Sequence, residues 1–280
     1  MFKWSFLSIL TVAGTLPCGL HVSIGAAPAV AATSVARWTP RATDTWQWQL
    51  RGTLDSSYEV DVYDVDLVDT PQATIDRLHQ QNRRVVCYFS AGSWEKFRDD
   101  AGAIPAADQG KTLKGWDDER WLDIRSAGVR RFMTERRLDL AVKKRCDGVE
   151  PDNVDGYAND TGFPLTAHEQ LVYNRFLAAE AHRRNLAVGL KNDLDQVEAL
   201  AGDFDFAVNE QCHEFEECGK QRPFTAKGKP IFNAEYKPDY RDNRMNARTR
   251  LCAAAKAAGI HTLVLPLALD GSFRFSCDTP

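Results

Sequence analysis

Residues 59–90, EVDVYDVDLVDTPQATIDRLHQQNRRVVCYFS, decide the reading of the fold. An alternating run (59–67) leads into a helix-like stretch (71–82) and then a second apolar run (84–90). Strand, helix, strand in about thirty residues is the building unit of a parallel sheet. The alternation continues on both sides. Further strands are expected at 45–50, 147–154, 187–192, 204–210, 230–236 and 261–269, and further helices at 127–144, 166–184, 195–201 and 241–258. Thr166 and Glu169 have the capping-box spacing that starts a helix. Eight strands alternating with helices predict an α/β chain folded as a single (β/α)8 TIM-type barrel. No fixed-period repeat or linker divides it. Residues 93–125 form one long connection, rich in Asp, Gly and Trp, and connections of that length are usually functional.

The chain has 280 residues and a formal net charge of −4. Residues 1–31 hold Lys3, an apolar run at 6–12, and small residues ending Ala29-Val30-Ala31. That is the pattern of a secretory signal peptide cleaved near Ala31, so 1–31 is expected to be removed and 32–280 to form the barrel outside the cell. No segment reaches the ~18 apolar residues of a membrane span, so no stable membrane insertion is expected. A mildly acidic chain is a poor nucleic-acid binder, and a monomer is expected. Beyond the leader's Cys18, six cysteines remain, at 87, 146, 212, 218, 252 and 277. An even count in an exported chain points to disulfides. Cys212 with Cys218 closes a short loop, Cys252 with Cys277 ties down the tail, and Cys87 with Cys146 is left.

In a barrel of this kind the chemistry sits at the strand ends. Polar residues gather there: Asp64 and Asp66, Tyr88 and Ser90 with Glu95 beyond, Glu150 and Asp152, Lys191 and Asn192, Asn209 and Glu210, Glu235 and Tyr236. Alternation puts Glu150, Asp152 and Lys191 on inward faces, where Glu150 and Lys191 would pair. Glu210 shares parity with the apolar Phe206 and Val208, so alternation leaves its direction open. Taken singly, a strand-end carboxylate is more often a cap or loop anchor than a catalyst; several converging on one rim perturb one another's pKa values, as an acid/base pair requires. Asp61, Asp69 and Asp155 read as supporting residues.

Other chemistries fit less well. The histidines beyond the leader (79, 168, 182, 213, 261) lack metal-ligand spacing, so neither a metal nor a cofactor is expected. There is no G-x-S-x-G elbow, P-loop or G-x-G-x-x-G turn. Paired carboxylates with many aromatics suit glycoside hydrolysis, with Trp46, Trp48, Trp94, Trp116 and Trp121 as candidate sugar platforms or core residues.

WQWQL (46–50), VDVYDVDL (60–67), CYFSAGSWE (87–95), GWDDERWLDIR (115–125), DGVEPDNVDGY (147–157), GLKND (189–193) and NEQCHEFEEC (209–218) together resemble glycoside hydrolase family 114, the endo-α-1,4-polygalactosaminidases. The resemblance runs from about residue 45 to 237 and is weakest at the last strand. It implies a (β/α)8 barrel glycosidase domain that cleaves within cationic, α-1,4-linked galactosamine polymers with retention. It further implies Asp152 as nucleophile and Glu210 as general acid/base, with carboxyl groups ~5–5.5 Å apart. Asp64, Asp66, Glu95 and Glu235 are then expected to attract the amino sugar, and Tyr88, Ser90, Glu150, Lys191, Asn192 and Tyr236 to bind sugar or orient the catalysts. The alternatives are a barrel that binds amino-sugar polymer without cutting it, and a glycosidase for another α-galactoside.

Overall fold

The computed structural model describes Gly14 and residues 36–278; the expected cleavage site lies outside the described residues. The first strands are β1 (Trp46–Gln49), β2 (Val62–Asp66) and β3 (Arg84–Ser90). The long connection after β3 is not irregular: β4 (Ser93–Glu95), β5 (Gln109–Leu113) and β6 (Trp116–Leu122) form a small antiparallel sheet in the order β4-β6-β5. The main sheet resumes with β7 (Gly148–Asp152), β8 (Ala187–Lys191), β9 (Phe206–Glu210), β10 (Ile231–Glu235) and β11 (His261–Val264), and ends in β12 (Phe275–Ser276). Neighbours run β1-β2-β3-β7-β8-β9-β10-β11-β12, all parallel except the antiparallel last pair.

The eight parallel strands fall in the expected order, and the α/β fold is as read. The strand expected at 261–269 is shorter. It stops at Val264 because Pro266 offers no N–H to a ladder and the chain turns back, Leu269 N–H donating to Pro266 O. The resulting loop helps to close the sheet: Leu50 and Arg51 donate to Leu269 O at 3.0 and 3.1 Å. Arg274, just before β12, donates to Trp46 O at 3.1 Å and to Gln47 Oε1 at 2.7 Å. Side chains and loops thus join the first and last parallel strands.

The helices are α1 (Gln72–Gln80), α2 (Ala127–Phe132), α3 (Asp139–Lys144), α4 (Ala167–Arg183), α5 (Val197–Leu200), α6 (Arg222–Thr225), α7 (Pro238–Arg241) and α8 (Ala247–Ala258). A π-helical stretch at Met133–Leu138 joins α2 to α3, so the expected helix 127–144 is continuous. The expected helix 241–258 is not, because Asn243, Met245 and Asn246 adopt positive φ. Thr166 and Glu169 form the expected capping box. No helix among the described residues is long and apolar enough to cross a membrane.

Alternation divides the apolar residues into two layers. Val85, Cys87, Phe89, Val149, Val188 and Leu190 face outward and pack in the main core with helix residues such as Leu78, Tyr173 and Leu177. Inside the barrel, Trp46, Trp48, Val86, Phe206, Val208 and Phe232 form a second core, with the Trp46 and Phe232 rings stacked at 5.0 Å. Each such side chain is worth about 1.5–3 kcal/mol of burial. This plug fills one end of the barrel and leaves the strand ends to polar groups. Disulfides join Cys87–Cys146, Cys212–Cys218 and Cys252–Cys277, the three pairs read from spacing and count.

Candidate active site

Above the aromatic plug the strand ends open into a cleft of about 1320 Å³. Its floor is made by Trp48, Tyr88, Asp152, Lys191 and Glu210, and its walls by the β4–β6 sheet and the loop at 267–269. The chain turns sharply after each of the three central strands. Asn153, Asn192 and Gln211, directly after β7, β8 and β9, have φ of 59°, 47° and 57°. Asparagine tolerates this left-handed conformation, whereas glutamine does so less readily, so strain sits beside Glu210. Gly92 allows a close approach here: a Cβ would lie 1.7 Å from Asn153 O.

One buried ammonium organises the floor. Lys191 Nζ lies 3.1 Å from Asp152 Oδ1, 3.2 Å from Glu210 Oε2 and 3.4 Å from Glu150 Oε1. It also stands 4.9 Å from the centre of the Trp48 ring. Tyr88 donates its hydroxyl to Asp152 Oδ2 at 3.0 Å, and Asn153 N–H donates to Asp152 Oδ1 at 2.7 Å. Tyr236 donates to Glu210 Oε1 at 2.5 Å, and Asn192 Nδ2 to Glu210 Oε2 at 3.2 Å. Each carboxylate therefore has its own tyrosine and shares one lysine.

The electrostatics follow from these contacts. Burial pushes the Glu210 carboxyl up, but Lys191, Tyr236 and Asn192 outweigh it and hold the group below its usual value. Burial alone would lower the Lys191 ammonium, yet Asp152, Glu210 and Glu150 raise it well above the ordinary range. Burial and adjacent carboxylates keep the phenols of Tyr88 and Tyr236 protonated. Nine carboxylates and five cationic side chains line the cleft, so it is acidic overall.

The remaining expected site residues divide into two groups. Glu95 and Asp66 line the cleft, but both are bound to Arg98, at 2.9 and 2.6 Å, and so offer little free charge. Asp64 and Glu150 are buried below the floor rather than exposed to a ligand. Ser90 is also buried; it contacts Ser93 and accepts from Asn153 Nδ2 at 2.9 Å, holding the turn after β7. Glu235 is fully buried and accepts from His213 N–H at 2.9 Å and Asn233 at 3.0 Å, which anchors the Cys212–Cys218 loop. Trp46 lies in the inner core and Trp94 donates to Ala101 O, leaving Trp48, Trp116 and Trp121 on the cleft.

Glu119 was not anticipated. It projects from β6 into the cleft, accepts from Ser93 Oγ at 2.6 Å, and is pushed up to about 7, mainly by burial. Only the pairing of β6 with β4 brings it there, and the irregular composition of 93–125 gave no periodic signal for that pairing. Cys212, His213 and Cys218 lie close together, but the two sulfurs are bonded to each other and offer no thiolate to a metal.

A parallel barrel whose strand ends hold two carboxylates side by side on the floor of an acidic cleft has the layout of a glycoside hydrolase. The model of glycoside-hydrolase family GH114 matches residues 27–279, and the chain belongs to that family. The crystal structure of Aspergillus fumigatus Ega3 in complex with galactosamine is similar, with 37% identity and a TM-score of 0.81, over 87% of this chain and 99% of that one. The glycoside hydrolase domain of PelA from Pseudomonas aeruginosa shares the fold at 18% identity and a TM-score of 0.62, over 81% of this chain and 96% of that one. No match was found among curated proteins.

Proposed function

We propose that the protein is an exported, retaining endo-glycosidase that cleaves α-1,4-linked galactosamine polymers. The observation that carries this reading is the shared contact of Asp152 and Glu210 with Lys191 Nζ, at 3.1 and 3.2 Å. Their lysine-facing oxygens are separated by no more than these two contacts laid end to end. That bound takes in the ~5–5.5 Å spacing of a retaining pair.

In this mechanism Asp152, held by Tyr88 and Asn153, attacks the anomeric carbon. Glu210 reacts from its protonated form, the minor one at neutral pH because Lys191, Tyr236 and Asn192 hold its carboxyl below the usual value. It gives that proton to the departing glycosidic oxygen as the bond from anomeric carbon to that oxygen breaks. Once Asp152 is esterified, its negative charge is gone and Lys191 is left to Glu210. This favours ionised Glu210, the form that deprotonates the incoming water. The water attacks the anomeric carbon and releases Asp152 with the original configuration restored.

The similarity to Ega3, together with the acidic lining, supports an amino-sugar substrate. A protonated polymer would be drawn to the cleft and would lose that attraction in salt. Export is supported by the three disulfides and by the leader pattern at 1–31. Incubation with partly deacetylated galactosamine-containing polymer, followed by mass spectrometry, tests the proposal. Oligosaccharides with new reducing ends are expected, and their formation should be abolished by Asp152→Asn and Glu210→Gln. Saturable binding without cleavage would mark a binding barrel instead.

A further inference from the structure

Below the reacting pair the barrel holds two more carboxyls that the mechanism leaves idle. Glu150 on β7 is completely buried and Asp64 on β2 nearly so. Neither Glu150 oxygen receives a hydrogen bond from any described donor group, and Asp64 Oδ1 is likewise unsatisfied. Among the described residues Lys191 is the one cation within ion-pair distance of Glu150, at 3.4 Å, the longest of its three carboxylate contacts. The two carboxyls meet each other side chain to side chain. Two carboxylates repel, whereas a carboxylic acid and a carboxylate share a hydrogen bond, so this contact calls for a proton between them.

We propose that Glu150 carries a proton donated toward Asp64, and that this neutral carboxyl is a positioning group that reserves the charge of Lys191 for Asp152 and Glu210. The proposal rests on the reading that Asp152 and Glu210 are the reacting pair. The surroundings set the count. Asp64 faces Glu150 from β2, Tyr88 from β3, Lys191 from β8 and Tyr236 from the end of β10, with Asp152 two residues on along β7 and Glu210 of β9 sharing Lys191. If every carboxyl were ionised, four negative charges would share one ammonium in a buried well, a costly arrangement. One proton on Glu150 removes a competitor for the charge of Lys191. The directions agree: burial and the Asp64 charge raise the Glu150 carboxyl well above its usual value, and burial pushes Asp64 up to about 7.

Infrared spectroscopy of the intact protein, with glutamate labelled by carbon-13, tests the proton without any substrate. A protonated-carboxyl carbonyl band is expected at neutral pH, absent from Glu150→Gln and displaced in frequency in Asp64→Asn. No such band, or one that survives in Glu150→Gln, would overturn the proposal. The positioning role is read from turnover. Glu150→Ala should lower kcat at least tenfold through displacement of Lys191. Glu150→Gln should recover most of that loss and keep the alkaline limb of kcat/KM in place. A glutamine variant as impaired as the alanine one, with that limb moved by a pH unit, would show that Glu150 acts as a charge and would overturn the proposal. A band that behaves as expected in a protein that hydrolyses nothing would instead sink the catalytic reading, and the positioning role with it.

Discussion

The hydroxyl of Tyr236 donates to Glu210 Oε1 at 2.5 Å, on the far side of the carboxylate from Lys191. The bond favours the ionised form of Glu210, so its loss should raise the carboxyl's pKa. A hydrogen bond to a charged group is worth about 1.5–3 kcal/mol, or about one to two pH units. Tyr236→Phe should therefore move the alkaline limb of kcat/KM upward, because the acid form persists to higher pH. The pH–rate profile checks this, and an unmoved limb would show that Tyr236 does not tune the acid.

Lys191 is the only cation among the described residues that touches both carboxylates. Its replacement by methionine leaves Asp152 and Glu210 facing each other uncompensated. Breaking a buried ion pair from one side typically costs about 3–5 kcal/mol. Denaturant unfolding should show a loss of that size near neutral pH. The loss should shrink in acid, where the carboxyls protonate.

Much of this site was legible because strand alternation is rigid. Glu150, Asp152 and Lys191 could be placed inward from parity alone, and the 3.4 Å approach of Lys191 to Glu150 follows that reading. Glu210 was undecided for an instructive reason. Phe206 and Val208 look like helix-facing residues, yet they sit in the inner core with Trp46 and Phe232, so their shared parity points Glu210 into the barrel. An apolar residue in a barrel strand has two cores to choose from, and hydrophobicity does not distinguish them. Glu235 misled in the opposite way: a strand-end carboxylate was buried as an anchor for the loop at His213. The β4–β6 sheet and Glu119 were hidden because short antiparallel strands in a loop take their order from partners, not from a period.

Glu119 gives a stability signature of its own. Its carboxyl is raised from 4.5 to about 7 in the folded chain, so the folded state holds a proton that the unfolded state releases earlier. Folding thus takes up a proton between those values, and this residue's contribution to stability falls as pH rises through the window. Glu119→Gln removes the penalty, on the order of 3 kcal/mol above pH 7. The variant should melt at the same temperature as the parent near pH 4 and at a higher one near pH 8.

The disulfides should contribute unequally. Cys87–Cys146 spans 59 positions and Cys212–Cys218 only 6. Loop-closure entropy predicts about 4 kcal/mol for the first and about 2 for the second. The short bridge closes just beyond Glu210, so opening it with a Cys212→Ser, Cys218→Ser double variant should reduce kcat more than stability. Equilibrium unfolding and initial rates on the same samples separate the two effects.

The central claim, that Asp152 and Glu210 act as nucleophile and acid/base across one gap, is tested most directly by trapping the covalent intermediate. A fluorinated galactosaminyl substrate with a good leaving group should add one sugar mass to the intact protein. Peptide mapping should then place that mass on Asp152, in the DGVEPDNV segment. A label on any other residue, or turnover with inverted products and no label, would contradict the account.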